Sequence, residues 1–146
     1  IVNESIKEIL SKYKTIAMVG VSKDNTKTST IVMRYMQKYG FKVIPVNPSA
    51  KNEKILGEKV FEKLEDIKTP IDIVDVFRPS VEVPNLAEDA VKIGAKVLWL
   101  QLGIRSEEAK KIVEVKNIDY VENKCTKMEY QKIFLKINPA FPILQS

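Results

Sequence analysis

Four short loops carry the residues of this chain best suited to bind an anion, and the first follows an apolar run that ends in glycine. This loop begins with Gly20-Val21-Ser22, and the basic and hydroxyl side chains of Lys27 and Ser29 come shortly after it. A strand that ends in glycine and leads into a helix brings free backbone N–H groups to the positive end of the helix dipole, which favours an anion. Lysine and serine add donors suited to phosphate oxygens. A simple strand-to-helix turn with a Ser or Thr cap is the alternative, and this segment alone leaves both open.

The absence of histidine restricts the chemistry that this chain could perform. Its 146 residues include no histidine, so a Ser-His-Asp or Cys-His nucleophile pair, a phosphohistidine and a histidine zinc site are excluded within the chain. We therefore predict no catalytic residue, no metal site and a protein that is not itself an enzyme. Cys125 is the single cysteine, which excludes an internal disulfide and is consistent with a cytoplasmic location.

The charge pattern argues against nucleic acid and membrane partners. The net charge of +5 comes from 24 basic and 19 acidic residues, and these are spread along the chain, as on solvated helix faces. No recognition motif for nucleic acid and no run of about 20 apolar residues occurs. Residues 1–5 also lack the pattern of a signal peptide. We expect a small-molecule ligand, and the charge balance is compatible with a polyanionic one.

The hydrophobic pattern predicts strands that alternate with helices. The predicted strands are residues 14–20, 41–46, 71–77, 96–100 and 118–121; the predicted helices are residues 3–13, 28–39, 80–93 with Ser80 as cap, a helix from 106, and 126–135. The strands are nearly continuous apolar runs, which are typical of a parallel sheet covered on both faces. We therefore predict a three-layer α/β fold with an open parallel five-stranded sheet, Rossmann-like, in the strand order 3-2-1-4-5.

This architecture places all four polar loops at one edge of the sheet. The other three loops are Asn47-Pro48, Phe77-Arg78-Pro79 and Gln101-Leu102-Gly103, each after a predicted strand. Open parallel sheets bind ligands beyond the carboxyl ends of their strands, near the point where the strand order reverses. We expect the ligand there.

The motifs for common nucleotides fit poorly. A dinucleotide fingerprint needs three glycines in the first loop and an acid after the second strand, whereas this chain has Gly20 alone and Asn47 in the place of the acid. Ordinary NAD binding is therefore disfavoured, and a nucleotide with a phosphorylated ribose fits better. A P-loop is absent as well, since no Gly-Lys-Ser or Gly-Lys-Thr occurs.

Several motifs in a fixed order, from about Tyr13 to about Phe134, resemble those of a known family. They read Val19-Gly20-Val21-Ser22, Ser29 through Tyr35, Ile44 through Pro48, Ile55-Leu56-Gly57, Asp72 through Arg78, Trp99 through Gly103, and Lys124-Cys125 with Lys127 and Glu129. This pattern resembles the single-domain CoA-binding proteins, whose fold is also the N-terminal CoA-binding domain of the succinyl-CoA synthetase α subunit and of ADP-forming acyl-CoA synthetases.

The resemblance implies that coenzyme A or an acyl-CoA binds across the strand ends, without intrinsic catalysis. It implies phosphate contacts from Gly20, Val21, Ser22, Lys27 and Ser29. It further implies that Asn47 and Pro48 border the nucleotide, that Phe77, Arg78 and Pro79 flank adenine and ribose, and that Gln101, Leu102 and Gly103 meet the diphosphate or the pantetheine arm. The chain departs from the family where Arg and Pro are usual, with Lys27 and Thr28, and lysine lacks the bidentate fork of arginine.

Two further side chains have competing interpretations. Asp75 differs in parity from Asp72, so the two cannot act as a paired acid and base, and we predict that Asp75 is a hydrogen-bonded structural carboxylate. Cys125 is predicted to be a small buried hydrophobe. The alternative is a thiol at the mouth of the site that forms a mixed disulfide with the CoA thiol.

We expect residues 1–135 to form one CoA-binding domain, with 1–13 as a flanking helix, and 136–146 to form a C-terminal tail. The apolar, proline-interrupted tail fits either the domain itself or a second copy, which leaves a homodimer open. Two other functions also stay open, an NADP-type nucleotide-binding protein and a non-catalytic interaction adaptor.

Overall fold

The computed structural model of the protein describes residues 3–138, and its secondary structure alternates between strands and helices. The elements in chain order are α1 (Asn3–Lys12), β1 (Thr15–Val19), α2 (Thr28–Lys38), β2 (Lys42–Val46), β3 (Lys54–Ile55), β4 (Glu58–Lys59), β5 (Ile73–Val76), α3 (Val83–Lys92), β6 (Val97–Leu100), α4 (Glu107–Glu114), β7 (Asp119–Val121) and α5 (Thr126–Phe134). Most of the predicted C-terminal tail, residues 139–146, lies outside the described residues.

The five longer strands form one parallel sheet, which confirms the predicted α/β, Rossmann-like fold. The spatial order is β2-β1-β5-β6-β7. Numbered along the chain, these strands run 2-1-3-4-5, so the predicted order 3-2-1-4-5 is wrong. The third long strand pairs with β1 instead of lying outside β2.

The outer edge of β2 is already occupied, which explains the error in strand order. Phe61 donates its backbone N–H to Pro45 O at 3.0 Å, and the Asn47 N–H reaches Phe61 O at 2.9 Å. The segment that brings Phe61 there contains the antiparallel pair β3–β4. With this edge hydrogen-bonded, β5 has its open position on the other side of β1.

Apolar side chains cover both faces of the sheet. One core, with Met18, Met33 and Trp99 among its fully buried members, contains residues of α1 and α2 and packs against α5. The other, with Ala17 and Leu98, contains residues of α3 and α4. Met18 and Ala17 are neighbours in β1 that face opposite cores, as strand geometry requires. Burial on both faces explains why the strands are continuous apolar runs.

Two serines near helix starts behave differently. Ser106 caps α4, because its Oγ accepts the Ala109 N–H at 3.1 Å. Ser80 does not cap the third predicted helix, which is a correction: it begins a 3-10 turn before α3, and its Oγ accepts the Arg105 N–H at 3.1 Å instead. Ser80 therefore joins the loop after β5 to the loop after β6.

The strand order reverses between β1 and β5, and this is where a ligand site is expected. The chain leaves β1 towards β2 and later returns to the opposite side of β1 as β5. The loops after these two strands diverge there and leave a crevice, where open sheets bind ligands. Among residues 3–138, no helix is long and apolar enough to cross a membrane.

Candidate ligand-binding site

Two clefts open at the carboxyl ends of the parallel strands. The first, here called the β1–β2 cleft, has a volume of about 330 Å³. It brings together four predicted residues, Gly20, Asn47, Pro48 and Arg78. Sequence analysis missed the other polar and apolar residues that line it: Ser49, Glu62, Lys63, Leu64, Glu82, Leu86 and Asp89, with Val19 and Val46 at the strand ends.

The second cleft, here called the β5–β6 cleft, has a volume of about 370 Å³ and a mostly apolar lining. It collects six predicted residues: Phe77, Arg78, Pro79, Gln101, Leu102 and Cys125. Thr28 and Ile104 complete it and were not predicted. Arg78 lines both clefts, so the two adjoin at the reversal point of the sheet.

Five predicted site residues, Val21, Ser22, Lys27, Ser29 and Gly103, line neither of these two clefts. Val21 is fully buried in the core and its carbonyl oxygen is bonded to Asn47, so it presents no free surface to a ligand. The Ser22 N–H donates to Ser29 Oγ at 3.1 Å, which folds the loop after β1 back onto α2. Gly103 donates its N–H to Asn123 Oδ1 at 2.7 Å. These residues shape the loops around the clefts.

The first turn of α2 has no side-chain cap within residues 3–138. Lys27 precedes the helix in an extended conformation and makes no capping bond, and the first turn contains no acidic residue. The predicted alternative, a Ser or Thr cap, is therefore not what this helix has. Its first backbone N–H groups and its positive dipole end are available to an anion, and Thr28 of this turn lines the β5–β6 cleft.

Asn47 joins the loops after β1 and β2. Its Nδ2 donates to Val21 O at 2.8 Å, and its Oδ1 accepts the Ser49 N–H at 2.9 Å. An aspartate could serve the second bond but not the first, because a carboxylate has no proton to give to a carbonyl oxygen. The asparagine that sequence analysis treated as a missing acid is a donor that holds the loop after β1.

Arg78 is paired with a carboxylate that sequence analysis missed. Its guanidinium donates to Glu82 through Nε at 3.0 Å and through Nη2 at 2.6 Å, and both side chains are nearly half exposed. This hydrogen bonding raises the pKa of Arg78 and lowers the pKa of Glu82. The spacing of four residues is a signal that the sequence contains. A bound anion would share the Arg78 guanidinium with Glu82 or displace the Glu82 carboxylate from it.

A buried polar network lies beneath the β5–β6 cleft. Gln101 Nε2 donates to Asp75 Oδ1 at 2.6 Å and to Thr126 Oγ1 at 3.1 Å, and Thr126 Oγ1 is 3.3 Å from Asp75 Oδ2. This confirms the prediction that Asp75 is a hydrogen-bonded carboxylate. Burial raises the pKa of Asp75 to about 7, although the bonds from Gln101 and Thr126 oppose the shift.

Cys125 lies at the wall of the β5–β6 cleft but is only 2% exposed. Burial is the main reason that the pKa of its thiol is raised to about 11. Backbone N–H groups of Met128 and Lys127 oppose this shift, and the charge of Asp75 adds to it. The thiolate is the reactive form of cysteine, so the free protein keeps this thiol in its unreactive form.

A larger concavity, about 720 Å³, lies along the outer edge of β7. Its lining includes charged side chains of both signs, such as Lys110 and Glu114, and none of the predicted site residues. Tyr120 at this edge is already bonded to Ser106 and Glu122. Within residues 3–138, no group of three histidine, cysteine or acidic side chains could hold a metal ion.

The fold and these clefts define a Rossmann-like α/β domain with its candidate site at the carboxyl ends of the sheet. The CoA binding domain family matches residues 14–131 of the chain. The chain therefore belongs to the CoA binding domain family, and the resemblance predicted from the motifs is confirmed.

Individual relatives agree with this assignment. "Uncharacterized protein YneT" of Bacillus subtilis is 40% identical over 125 residues, which are 86% of this chain and 91% of that protein. An ADP-forming acetate–CoA ligase of Methanocaldococcus jannaschii is 30% identical over 87 residues, which are 60% of this chain but 12% of the ligase. The solved structure of "cell-free ID.343" from Thermus thermophilus has a TM-score of 0.87 at 34% identity, over 92% of this chain and 100% of that one.

Proposed function

We propose that this protein binds coenzyme A or an acyl-CoA across the two clefts and performs no reaction on it by itself. The observation that carries the proposal is the pair of adjoining clefts, one with polar and charged residues and the other mostly apolar, that meet at Arg78. Coenzyme A has the same division, because a nucleotide with a 3′-phosphate and a diphosphate is joined to a long uncharged arm. The family assignment and the similarity to a segment of an ADP-forming acetate–CoA ligase support this ligand.

The phosphates would lie near the cations and free N–H groups between the clefts. Arg78 and the first turn of α2 supply positive charge and donors there, with Lys27 at the start of that helix. The adenosine would occupy the β1–β2 cleft beside Asn47 and Pro48, and the arm would follow the β5–β6 cleft past Leu102. Because Phe77 and Pro79 line this second cleft, they would contact the arm instead of the adenine and ribose that the resemblance implies. Gly20, Val21, Ser22, Ser29 and Gly103 would form the loops that enclose the ligand.

The absence of catalysis is proposed from the groups that are available. The chain has no histidine. Asp75, the carboxylate beneath the β5–β6 cleft, is buried and hydrogen-bonded, and the one thiol, Cys125, has a raised pKa. A reaction on the thioester would need a nucleophile or a base at the cleft wall.

Native mass spectrometry and calorimetry with coenzyme A, dephospho-CoA, NAD and NADP test the proposal. We expect coenzyme A to bind most tightly and dephospho-CoA more weakly, because dephospho-CoA lacks the 3′-phosphate that would pair with a cation of the site. The ligand panel includes NAD and NADP because Glu62 and Asp89 line the β1–β2 cleft and could bind ribose hydroxyls. Tighter binding of either dinucleotide would refute the coenzyme A assignment, and binding of none would favour the adaptor.

A further inference from the structure

We infer that Asp75 is a positioning residue: it orients the Gln101 amide so that the amide oxygen accepts a hydrogen bond from an N–H group of the ligand arm in the β5–β6 cleft. This inference rests on the proposed function and goes beyond it, because it states which chemical group of the arm is recognised. An N–H donor on an uncharged arm is a secondary amide, as in pantetheine.

The orientation of the Gln101 side-chain amide follows from its two partners inside the protein. A glutamine amide has two N–H protons and one carbonyl oxygen. In Gln101 both protons are used inside the protein, one towards Asp75 Oδ1 at 2.6 Å and one towards Thr126 Oγ1 at 3.1 Å. When Asp75 is ionised, the opposite orientation would place the amide oxygen against its carboxylate, where two acceptors would repel each other. Asp75 therefore decides which end of the amide points away from the network.

The polar atom of Gln101 that remains available is its amide oxygen, Oε1. Gln101 is 2% exposed and lines the β5–β6 cleft. Its Oε1 accepts no hydrogen bond from the residues that the structure describes, since the bonds of this side chain go through Nε2 alone. Within the described residues, the fully buried side-chain atoms without a hydrogen-bond partner are Glu129 Oε1 and Gln131 Oε1, so Gln101 Oε1 reaches the surface of the cleft. There an N–H of the ligand would replace water as its hydrogen-bond donor.

The residues that line the cleft around Gln101 favour an uncharged hydrogen-bond donor. Phe77, Pro79, Leu102 and Ile104 supply apolar walls to the same cleft. A charged ammonium group would lose its hydration there without a carboxylate at the surface, because Asp75 lies behind Gln101 and is fully buried. An ionised phosphate oxygen has no proton to donate to Oε1. The arrangement therefore favours an amide N–H over a charged group.

The test compares coenzyme A with adenosine 3′,5′-bisphosphate, which keeps the phosphorylated nucleoside but lacks the arm. Calorimetry would measure both ligands on the wild type, Asp75→Leu and Asp75→Asn. We expect Asp75→Leu to weaken coenzyme A about tenfold, the size of one hydrogen bond, and to change the bisphosphate less than twofold. Asp75→Asn should restore most of the lost affinity, because its Oδ1 can accept from Gln101 and its amide can donate to Thr126.

Each other outcome has a definite meaning. Equal loss for both ligands would overturn the inference and assign Asp75 a merely structural role, and no loss for either would overturn it too. If the wild type binds neither ligand, the proposed function itself fails. If Asp75→Leu does not fold, Thr126→Val and Thr126→Ser replace it: valine removes a partner of both Gln101 and Asp75, so it should weaken coenzyme A selectively, and serine should not.

A second measurement separates recognition of the amide from general packing of the arm. Coenzyme A analogues in which one of the two arm amides is replaced by an ester lack that N–H. Gln101→Leu should weaken coenzyme A but have little further effect on the analogue that lacks the recognised N–H, as expected for a thermodynamic cycle between interacting partners. Equal effects of Gln101→Leu on coenzyme A and on both analogues would contradict the inference.

Discussion

The α-carbon of Gly20 lies directly against the backbone carbonyl of Phe77. A Cβ placed on Gly20 would be 2.5 Å from Phe77 O and 2.9 Å from Arg78 Cδ, and Gly20 has a φ of +93°. This contact joins the ends of β1 and β5 at the point where the strand order reverses. It places Arg78 beside the loop after β1, between the two clefts.

Gly20→Ala should therefore disturb both stability and binding. The positive φ alone costs alanine about 1–2 kcal/mol, and the clash with a backbone oxygen adds to this, because the carbonyl can move only if β5 moves. We expect a total loss of at least about 3 kcal/mol in the free energy of unfolding, measured by urea denaturation, and at least tenfold weaker coenzyme A binding.

Gly40→Ala is the matched control, because Gly40 has nearly the same φ, +92°, with no atom within 4 Å of a built Cβ. Gly40→Ala should lower the free energy of unfolding only by the cost of the positive φ and should leave coenzyme A binding unchanged. If both variants lose the same stability and Gly20→Ala still binds normally, the close contact has no role in the site.

The fold class, and the sheet edge at which the four polar loops meet, could be predicted because they depend on local patterns. Five apolar runs separated by helical segments specify a covered parallel sheet, and parallel strands end at one edge. The strand order could not be predicted in this way. It depends on a contact between Phe61 and Pro45 across the intervening hairpin, and no periodicity in the sequence reports which segment occupies the edge of β2.

For the candidate site as well, contacts between residues close in sequence could be predicted, and contacts between distant residues could not. Arg78 and Glu82 are four residues apart and their pairing could have been found. The bond from Asn47 to Val21 O, and the Asp75–Gln101–Thr126 network, join residues at least 25 positions apart. The position of Asp75 in a buried strand indicates that it needs partners, but only the folded chain identifies them.

Asn47→Asp should loosen the loop after β1. The carboxylate keeps the bond from the Ser49 N–H but leaves Val21 O without its donor and adds a negative charge to the β1–β2 cleft. We expect a loss of about 1–3 kcal/mol in the free energy of unfolding and weaker binding of coenzyme A. Asn117→Asp, an exposed asparagine outside both clefts, is the control. Unchanged stability and affinity in Asn47→Asp would show that the loop does not need this bond.

Glu82→Gln should strengthen the binding of coenzyme A. The carboxylate competes with the ligand for Arg78 and repels its phosphates, while the exposed ion pair contributes less than about 1 kcal/mol to folding. We expect two- to fivefold tighter binding, little change in stability, and no effect from Glu88→Gln, an exposed acid of the helix that follows Glu82, which lines neither cleft. Weaker binding in Glu82→Gln would instead indicate that Glu82 contacts the ligand itself.

The buried carboxyl of Asp75 should make folding stability depend on pH. Its pKa rises from the ordinary value of 3.8 to about 7 in the folded protein, so between these values the folded chain holds a proton that the unfolded chain has released. The contribution of the Asp75 carboxyl to the free energy of unfolding is therefore fully present below about pH 4, falls as the pH rises and is lost above about pH 7.

Asp75→Asn should remove this decline in the free energy of unfolding, which is on the order of 4 kcal/mol across the interval. Urea denaturation of both proteins at a series of pH values measures it. The carbonyl stretch of a protonated carboxylic acid, seen by infrared difference spectroscopy at pH 6 and absent in the variant, would identify the group. A wild-type contribution that increases with pH over this interval would mean that Asp75 is stabilised in its charged form.

Cys125 should react slowly with thiol reagents in the folded protein. A pKa of about 11 in place of the ordinary 9.0 lowers the thiolate fraction near pH 8 about a hundredfold, and burial restricts access further. A disulfide reagent such as dithionitrobenzoate should therefore react at least about a hundredfold faster in urea than in buffer at the same pH.

A separate experiment tests the mixed disulfide between Cys125 and coenzyme A. For that bond to form by exchange, the Cys125 thiolate would have to attack a low-molecular-weight disulfide such as the symmetrical CoA disulfide, with release of one CoA thiolate. Incubation with this disulfide, followed by mass spectrometry with and without reductant, should give no adduct on the folded chain. A rapid, reductant-sensitive adduct that Cys125→Ala abolishes would mean that bound ligand exposes and activates the thiol, so that Cys125 belongs to the site as a reactive group.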